Sequence, residues 1–134
     1  MLGDVTDPGM WTDLDAWILL CVPGRPGRLR VVLSTADHYN HAIPREEELA
    51  VALARLVASG LVLVQDDRVA ATTEGLALLA RAHREGYERI PEVRALLQAI
   101  PRRHGPAVVS QSALERAYRN YGDPWWRRLW RRYA

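Results

Sequence analysis

Along "TDLDAWILLCV", residues 12–22, the apolar residues Leu14, Trp17, Ile18 and Cys21 recur at the i, i+3, i+4 and i+7 positions of one helical face. Thr12 is suited to cap that helix, and Asp13 and Asp15 sit favourably against its N-terminal dipole. The spacing predicts a first helix over residues 13–22, stopped by "PGRPG", which neither a helix nor a strand interior tolerates. In "RLRVVLSTADHYN", Leu29, Val32, Leu33 and Ala36 repeat the interval and predict a second helix, although "RLRVVL" alone also fits a strand. Pro44 suits a first helical position, and "REEELAVALARLVAS" then sets Leu49, Leu53, Leu56 and Val57 on the stripe of a third helix. Gly60 suits the left-handed position that closes it.

The period then shortens. "LVLV", the polar turn "QDDR" and "VAAT" read as a hairpin. Thr72 or Thr73 caps a fourth helix with Leu76, Leu79, Ala80, His83 and Tyr87 on one face. Pro91 and Pro101 bracket "EVRALLQAI", a fifth helix with Val93, Leu96, Leu97 and Ile100 apolar. A sixth helix has two candidate starts: Val109 and Leu114 as a hydrophobic staple around Ser110, or Ser112 and Glu115 as a capping box. Gly122 ends it. Asp123 then caps a final short helix, opened by Pro124, in "DPWWRRLWRRYA". The fold class expected is mostly α with a small β-hairpin.

The stretch "EELAVALARLVASGLVLVQDDRVAATTEGLALL" and the order of elements over residues 12–85 resemble the bacterial winged-helix transcription regulators. That resemblance implies a winged-helix core over residues 1–89, followed by a C-terminal helical extension, 90–134, packed on the core or on a twin subunit. It also implies that residues 44–59 form the recognition helix of a major groove and residues 65–68 a wing tip on the phosphate backbone. The side chains at those positions suit the task poorly. The outward face of the third helix holds Glu47, Glu48, Val51, Ala54, Arg55 and Ala58, with one Arg and no Asn, Gln or Lys for base edges. Glu46, Glu47 and Glu48 favour the helix dipole but repel phosphates. Val51, Ala54 and Ala58 instead form a small apolar patch fit for a partner, a second copy or the protein's own tail.

Composition narrows the picture. The length of 134 residues suits one domain, and 49% apolar with 25% charged residues argues against disorder. The longest nearly apolar run, residues 49–64, is broken by Arg55 and Ser59-Gly60 and does not read as a membrane span. No basic stretch leads into an apolar one at the N-terminus, so a cytoplasmic protein with no membrane partner is expected. The single cysteine, Cys21, reads as a buried, inert thiol. All 18 basic residues are Arg, and they are unevenly placed: residues 1–100 hold 10 Arg against 14 acids, net −4, and residues 101–134 hold 8 against 2, net +6.

Candidate chemistry is sparse. His38 and His41 have the spacing to share a metal, but two ligands are too few and His83 and His104 lie far off in sequence. There is no Gly-x-Ser-x-Gly and no Gly-rich phosphate loop, so neither an enzyme nor a cofactor is expected. The last helix is more informative: Trp125, Trp126, Leu129, Trp130 and Tyr133 fall within an arc of about 140° on a helical wheel, and Arg127, Arg128, Arg131 and Arg132 fill the opposite side.

Two functions are compatible with this pattern. One is a non-enzymatic regulator that contacts double-stranded DNA through Arg102, Arg103, Arg127, Arg128, Arg131 and Arg132, with Arg116 and Arg119 assisting. The other is a protein-interaction module that binds no nucleic acid and meets a partner or forms a homodimer. Its contact residues are Val51, Ala54 and Ala58 together with Trp126, Leu129, Trp130 and Tyr133. If the rings dock on protein, Trp130→Ala lowers the melting temperature by several degrees; an unchanged melting curve means that the Trp130 ring is not docked.

Overall fold

The computed structural model describes residues 10–122, a mostly helical chain with one two-stranded antiparallel hairpin. Helix α1, Asp13–Cys21, opens in a reciprocal capping box. The Thr12 hydroxyl accepts from the Asp15 N–H at 3.3 Å, and the Asp15 carboxylate accepts from the Thr12 N–H at 3.1 Å. Every residue from Asp15 to Cys21 is buried, because α1 packs on helices α2 (Leu29–Asn40), α3 (Glu46–Ala58) and α5 (Arg89–Leu97). The stripe seen in the sequence is therefore only one side of a helix enclosed on several. Burial also pushes the Cys21 thiol up to about 12, which removes it as a nucleophile at neutral pH.

The Gly-Pro segment after α1 lies beside the hairpin. Gly27 exchanges two backbone hydrogen bonds with Val69, at 3.0 and 2.9 Å, and the Pro23 carbonyl accepts from Ala71. Helix α2 buries Leu29, Val32, Leu33 and Ala36, the four positions that the pattern selects. Helix α3 starts later than expected. Pro44 lies outside it and Arg45 is the cap, its N–H held by the Glu48 carboxylate at 2.8 Å. At the other end Gly60 adopts φ 82, with Leu61 N–H bonded to the Leu56 carbonyl and Gly60 N–H to that of Val57, the paired bonds of a Schellman motif.

Strands β1, Val62–Gln65, and β2, Arg68–Ala71, pair from Val62↔Ala71 to Gln65↔Arg68. Asp66 and Asp67 join them with φ 54 and 60, the left-handed pair of a type I′ turn. Thr72 caps helix α4, Thr73–Ala80, through the Gly75 N–H. A Cβ on Gly75 would collide with the Leu61 carbonyl, so this glycine fixes how closely α4 approaches the hairpin.

Two expectations fail after this point. Helix α4 stops at Ala80 and buries Gly75 and Leu78, whereas Leu76, His83 and Tyr87 are exposed. The cause is Glu92, whose carboxylate accepts from the N–H groups of His83 and Arg84 at 2.8 Å each, bonds that compete with continuation of the helix. Those two bonds hold the Glu92 carboxyl below the usual carboxylate range. Helix α5 also begins two residues before Pro91, which sits in the first turn, where its missing N–H has no helical partner to lose. Its Val93 and Leu97 are fully buried, and the Trp11 indole donates to the Ile100 carbonyl at 2.7 Å.

Helix α6, Gln111–Gly122, takes the first of its two candidate starts. Ser110 Oγ accepts from the Ala113 N–H, and Val109 and Leu114 are both buried around it. The expected helix beyond Asp123, with every residue assigned to it, lies outside the described residues.

Asp15 also links three parts of the chain. Its fully buried side chain lies 3.1 Å from Arg55 of α3 and 3.6 Å from Arg102, just past α5. Asp15→Ala leaves both guanidinium groups without their carboxylate and costs about 3–5 kcal/mol, read from urea unfolding. A loss well below that range would show that the cluster tolerates an uncompensated charge.

Candidate functional site

The face of α3 that the winged-helix resemblance assigns to a DNA groove is partly covered by the protein itself. Beyond Arg102 the chain runs back over this helix. The Arg103 N–H donates to Ser59 Oγ at 2.9 Å, and Gly105 lies so close to Ala58 that a Cβ on it would stand 3.0 Å from the Ala58 Cβ. The hairpin tip then holds the start of α6: the Asp67 carboxylate accepts from Ser110 N–H at 2.8 Å and from Ser110 Oγ at 2.9 Å. Ser110 thus caps the helix while being fixed by the turn.

Helix α6 continues across α2 and α3. Gln111 Nε2 donates to Glu46 at 2.6 Å, Tyr118 donates to the Pro44 carbonyl at 2.7 Å, and Ala113, Leu114 and Ala117 enter the hydrophobic core. The acidic start of α3 is therefore a docking edge for α6: Glu46 receives Gln111, Glu48 caps its own helix, and Glu47 is exposed.

This arrangement redistributes the candidate residues. Arg102, expected on a cationic surface, points inward with its side chain 5% exposed against Asp15. Arg103 is exposed, with its backbone N–H on Ser59. Arg127, Arg128, Arg131 and Arg132, and Trp126, Leu129, Trp130 and Tyr133, lie outside the described residues. The patch of Val51, Ala54 and Ala58 is not one open surface: Val51 is 45% exposed, Ala54 is buried and Ala58 is half-buried under Gly105. Arg55, the one Arg expected on the outward face of α3, turns to Asp15.

Sequence reasoning missed Ala50, which with Val51 separates two hollows. One, of about 480 Å³, is bounded by Glu46, Glu47, Gln111 and Leu114; the other, of about 190 Å³, by Ala54, His104 and Gly105. It also missed a cleft of about 370 Å³ where the start of α2, the hairpin tip and α6 meet, with Arg28, Arg30, Arg68 and Arg116 around it. Taken singly, these Arg lie in unrelated segments; the Gly27–Val69 bridge brings Arg28 beside Arg68, and α6 adds Arg116. Of the histidine pair, His41 serves as the left-handed cap of α2. Among the described residues, no group of three or more His, Cys, Asp or Glu side chains is placed to hold a metal ion.

Comparison of the chain with protein-family models, with curated proteins and with solved structures finds no match in any of the three. No helix among the described residues is long and apolar enough to cross a membrane.

The Tyr118 latch has a pH signature. Burial first, and then the charges of Glu46, Glu48 and Glu47, push its phenol above the ordinary value of 10.0, so the fold keeps the neutral, donating form. Its contribution is fully present below pH 10 and is lost as pH rises above that value, because the unfolded chain then ionises and the folded chain does not. Tyr118→Phe is accordingly less stable than the parent at neutral pH, by about 1 kcal/mol for the lost hydrogen bond, and its unfolding midpoint falls less on going to alkaline pH. Equal alkaline losses in the two proteins would remove Tyr118 from this role.

Proposed function

We propose that this chain is a non-enzymatic regulatory module of winged-helix shape that acts through contact with protein and does not read duplex DNA with α3. The observation that carries the reading is the seat of α6, tied across α3 and the hairpin tip by Gln111–Glu46, Tyr118–Pro44 and Ser110–Asp67. A major groove would be entered by the N-terminal end of α3, where Gln111 of α6 already holds Glu46. The accessible ridge of Ala50 and Val51, between hollows and beside Glu46 and Glu47, suits an apolar partner segment that also carries basic residues.

One observation favours a second reading, a DNA-binding transcription regulator: residues 101–134 carry a net charge of +6, with Arg127, Arg128, Arg131 and Arg132 sorted to one side of a helical wheel. Titrating labelled duplex DNA with the full chain and with a chain ending at Gly122, each at low and moderate salt, separates the two. The first reading expects no binding by either chain at moderate salt. Binding by the full chain that weakens on truncation and on raising salt would replace it with the second.

A further inference from the structure

The four Arg around the cleft come from three elements: Arg28 and Arg30 flank the start of α2, Arg68 opens β2, and Arg116 lies on α6. All four are exposed, and none of their guanidinium groups has a hydrogen bond or ion pair with a described residue. This differs from the treatment of Arg55, Arg84, Arg94 and Arg102, each of which faces a carboxylate. Of the two acids that border the cleft, Asp67 is engaged by Ser110 through both oxygens. The cleft therefore sets four cations against two carboxylates, only one of which, Asp66, has no Ser110 contact.

The start of α2 adds to the imbalance. Helices α1, α3, α4 and α5 each carry an acidic residue in the first turn, and α6, which does not, is capped by Ser110. Helix α2 has neither an acid there nor a side-chain cap. Its N-terminal partial charge is positive, as are Arg28 and Arg30 beside it. Cations gathered this way repel one another, and an anion that bridges them relieves the repulsion.

We propose that this cleft binds a small molecule carrying more than one phosphate group. The planar guanidinium fork matches two phosphate oxygens at once, and four such groups on three elements match more than one phosphate. Size selects among phosphate sources. A volume of about 370 Å³ is that of a small-ligand site. The floor is apolar, made by Leu29, Ala113 and Ala117, and the two alanines leave room for the rest of the molecule. A ligand bridging Arg68 and Arg116 joins the hairpin to α6. It therefore reinforces the closure of α3 on which the proposed function rests, although binding itself does not depend on that reading.

The probes are pyrophosphate, ATP, inorganic phosphate and a short duplex DNA, each titrated calorimetrically into the full chain at low salt, with melting temperature as a second readout. Pyrophosphate and ATP are expected to bind more tightly than inorganic phosphate and to raise the melting temperature. Arg68→Ala and Arg116→Ala are each expected to weaken that binding by about tenfold, the loss of one charge-assisted bond. Arg25→Ala, an exposed Arg outside the cleft, should leave it unchanged. Melting of the unliganded variants separates a lost contact from a lost fold.

Absence of binding by either polyphosphate overturns the proposal. So does binding that Arg68→Ala and Arg116→Ala leave intact, which means the anion sits elsewhere. Duplex DNA that binds more tightly than ATP and displaces it overturns the small-ligand assignment and, separately, bears on the proposed function. Loss of polyphosphate binding with no DNA binding leaves that function standing.

Discussion

The Asp15 carboxylate is the interaction from which the rest of the architecture is arranged. It is the one buried ionisable acid among the described residues, and its two oxygens serve three partners: the start of α1 at Thr12, Arg55 from α3 and Arg102 from the segment after α5. Taking a carboxylate out of water costs several kcal/mol unless its lone pairs are filled, and here two cations and two hydrogen bonds to Thr12 fill them. The arrangement is not fully satisfied, because Arg55 Nε is buried without an acceptor. Burying such a cluster is poorly explained by stability alone. It does specify register, since Arg102 can reach Asp15 only if the chain after α5 turns back toward α3.

That turn has consequences at a distance. With Arg102 fixed inward, the next residues lie over the end of α3, and Gly105 can approach Ala58 because it has no side chain to displace. Ser110 then arrives at the hairpin tip, where the turn of Asp66 and Asp67, both at positive φ, presents a carboxylate to Ser110, the residue that caps α6. The hairpin turn and the start of α3 thus hold the protein's own sixth helix. The short side chains Ala113 and Ala117 let α6 come close, and the same shortness leaves room for the cleft that they line.

The legible features are those set by a few neighbouring residues. Thr12, Gly60, Thr72 and Ser110 each mark a helix boundary through a bond to a group two to five positions away, and the core of α2 follows from its own period. Periodicity overextends α4 because Glu92, in a different helix, takes the N–H groups of His83 and Arg84, and it misplaces the buried face because Gly75 packs against the Leu61 carbonyl; the pattern within one segment carries no trace of either neighbour. The site is less legible still. Ser110 meets Asp67 across 43 positions and Gln111 meets Glu46 across 65, so the patch on α3 can be recognised as needing a cover, but not as already half covered. Arg102 shows the same limit: its charge is visible in the sequence, and the carboxylate that draws it inward is not.

The charge pattern acquires a different meaning once geometry is known. By count the chain is nearly balanced, with 18 Arg against 16 acids. Several of the acids, however, are engaged by backbone N–H groups and helix starts: Asp15 at α1, Glu48 at α3, Asp67 at α6 and Glu92 on the turn after α4. A carboxylate so engaged has its charge fixed at one place in the fold, and an Arg has no equivalent role at a helix N-terminus, where its charge is unfavourable. A chain balanced in number can therefore be locally unbalanced at its surface. The imbalance should be sharpest where a helix begins without an acid or a cap, which is where Arg28 and Arg30 meet Arg68 and Arg116.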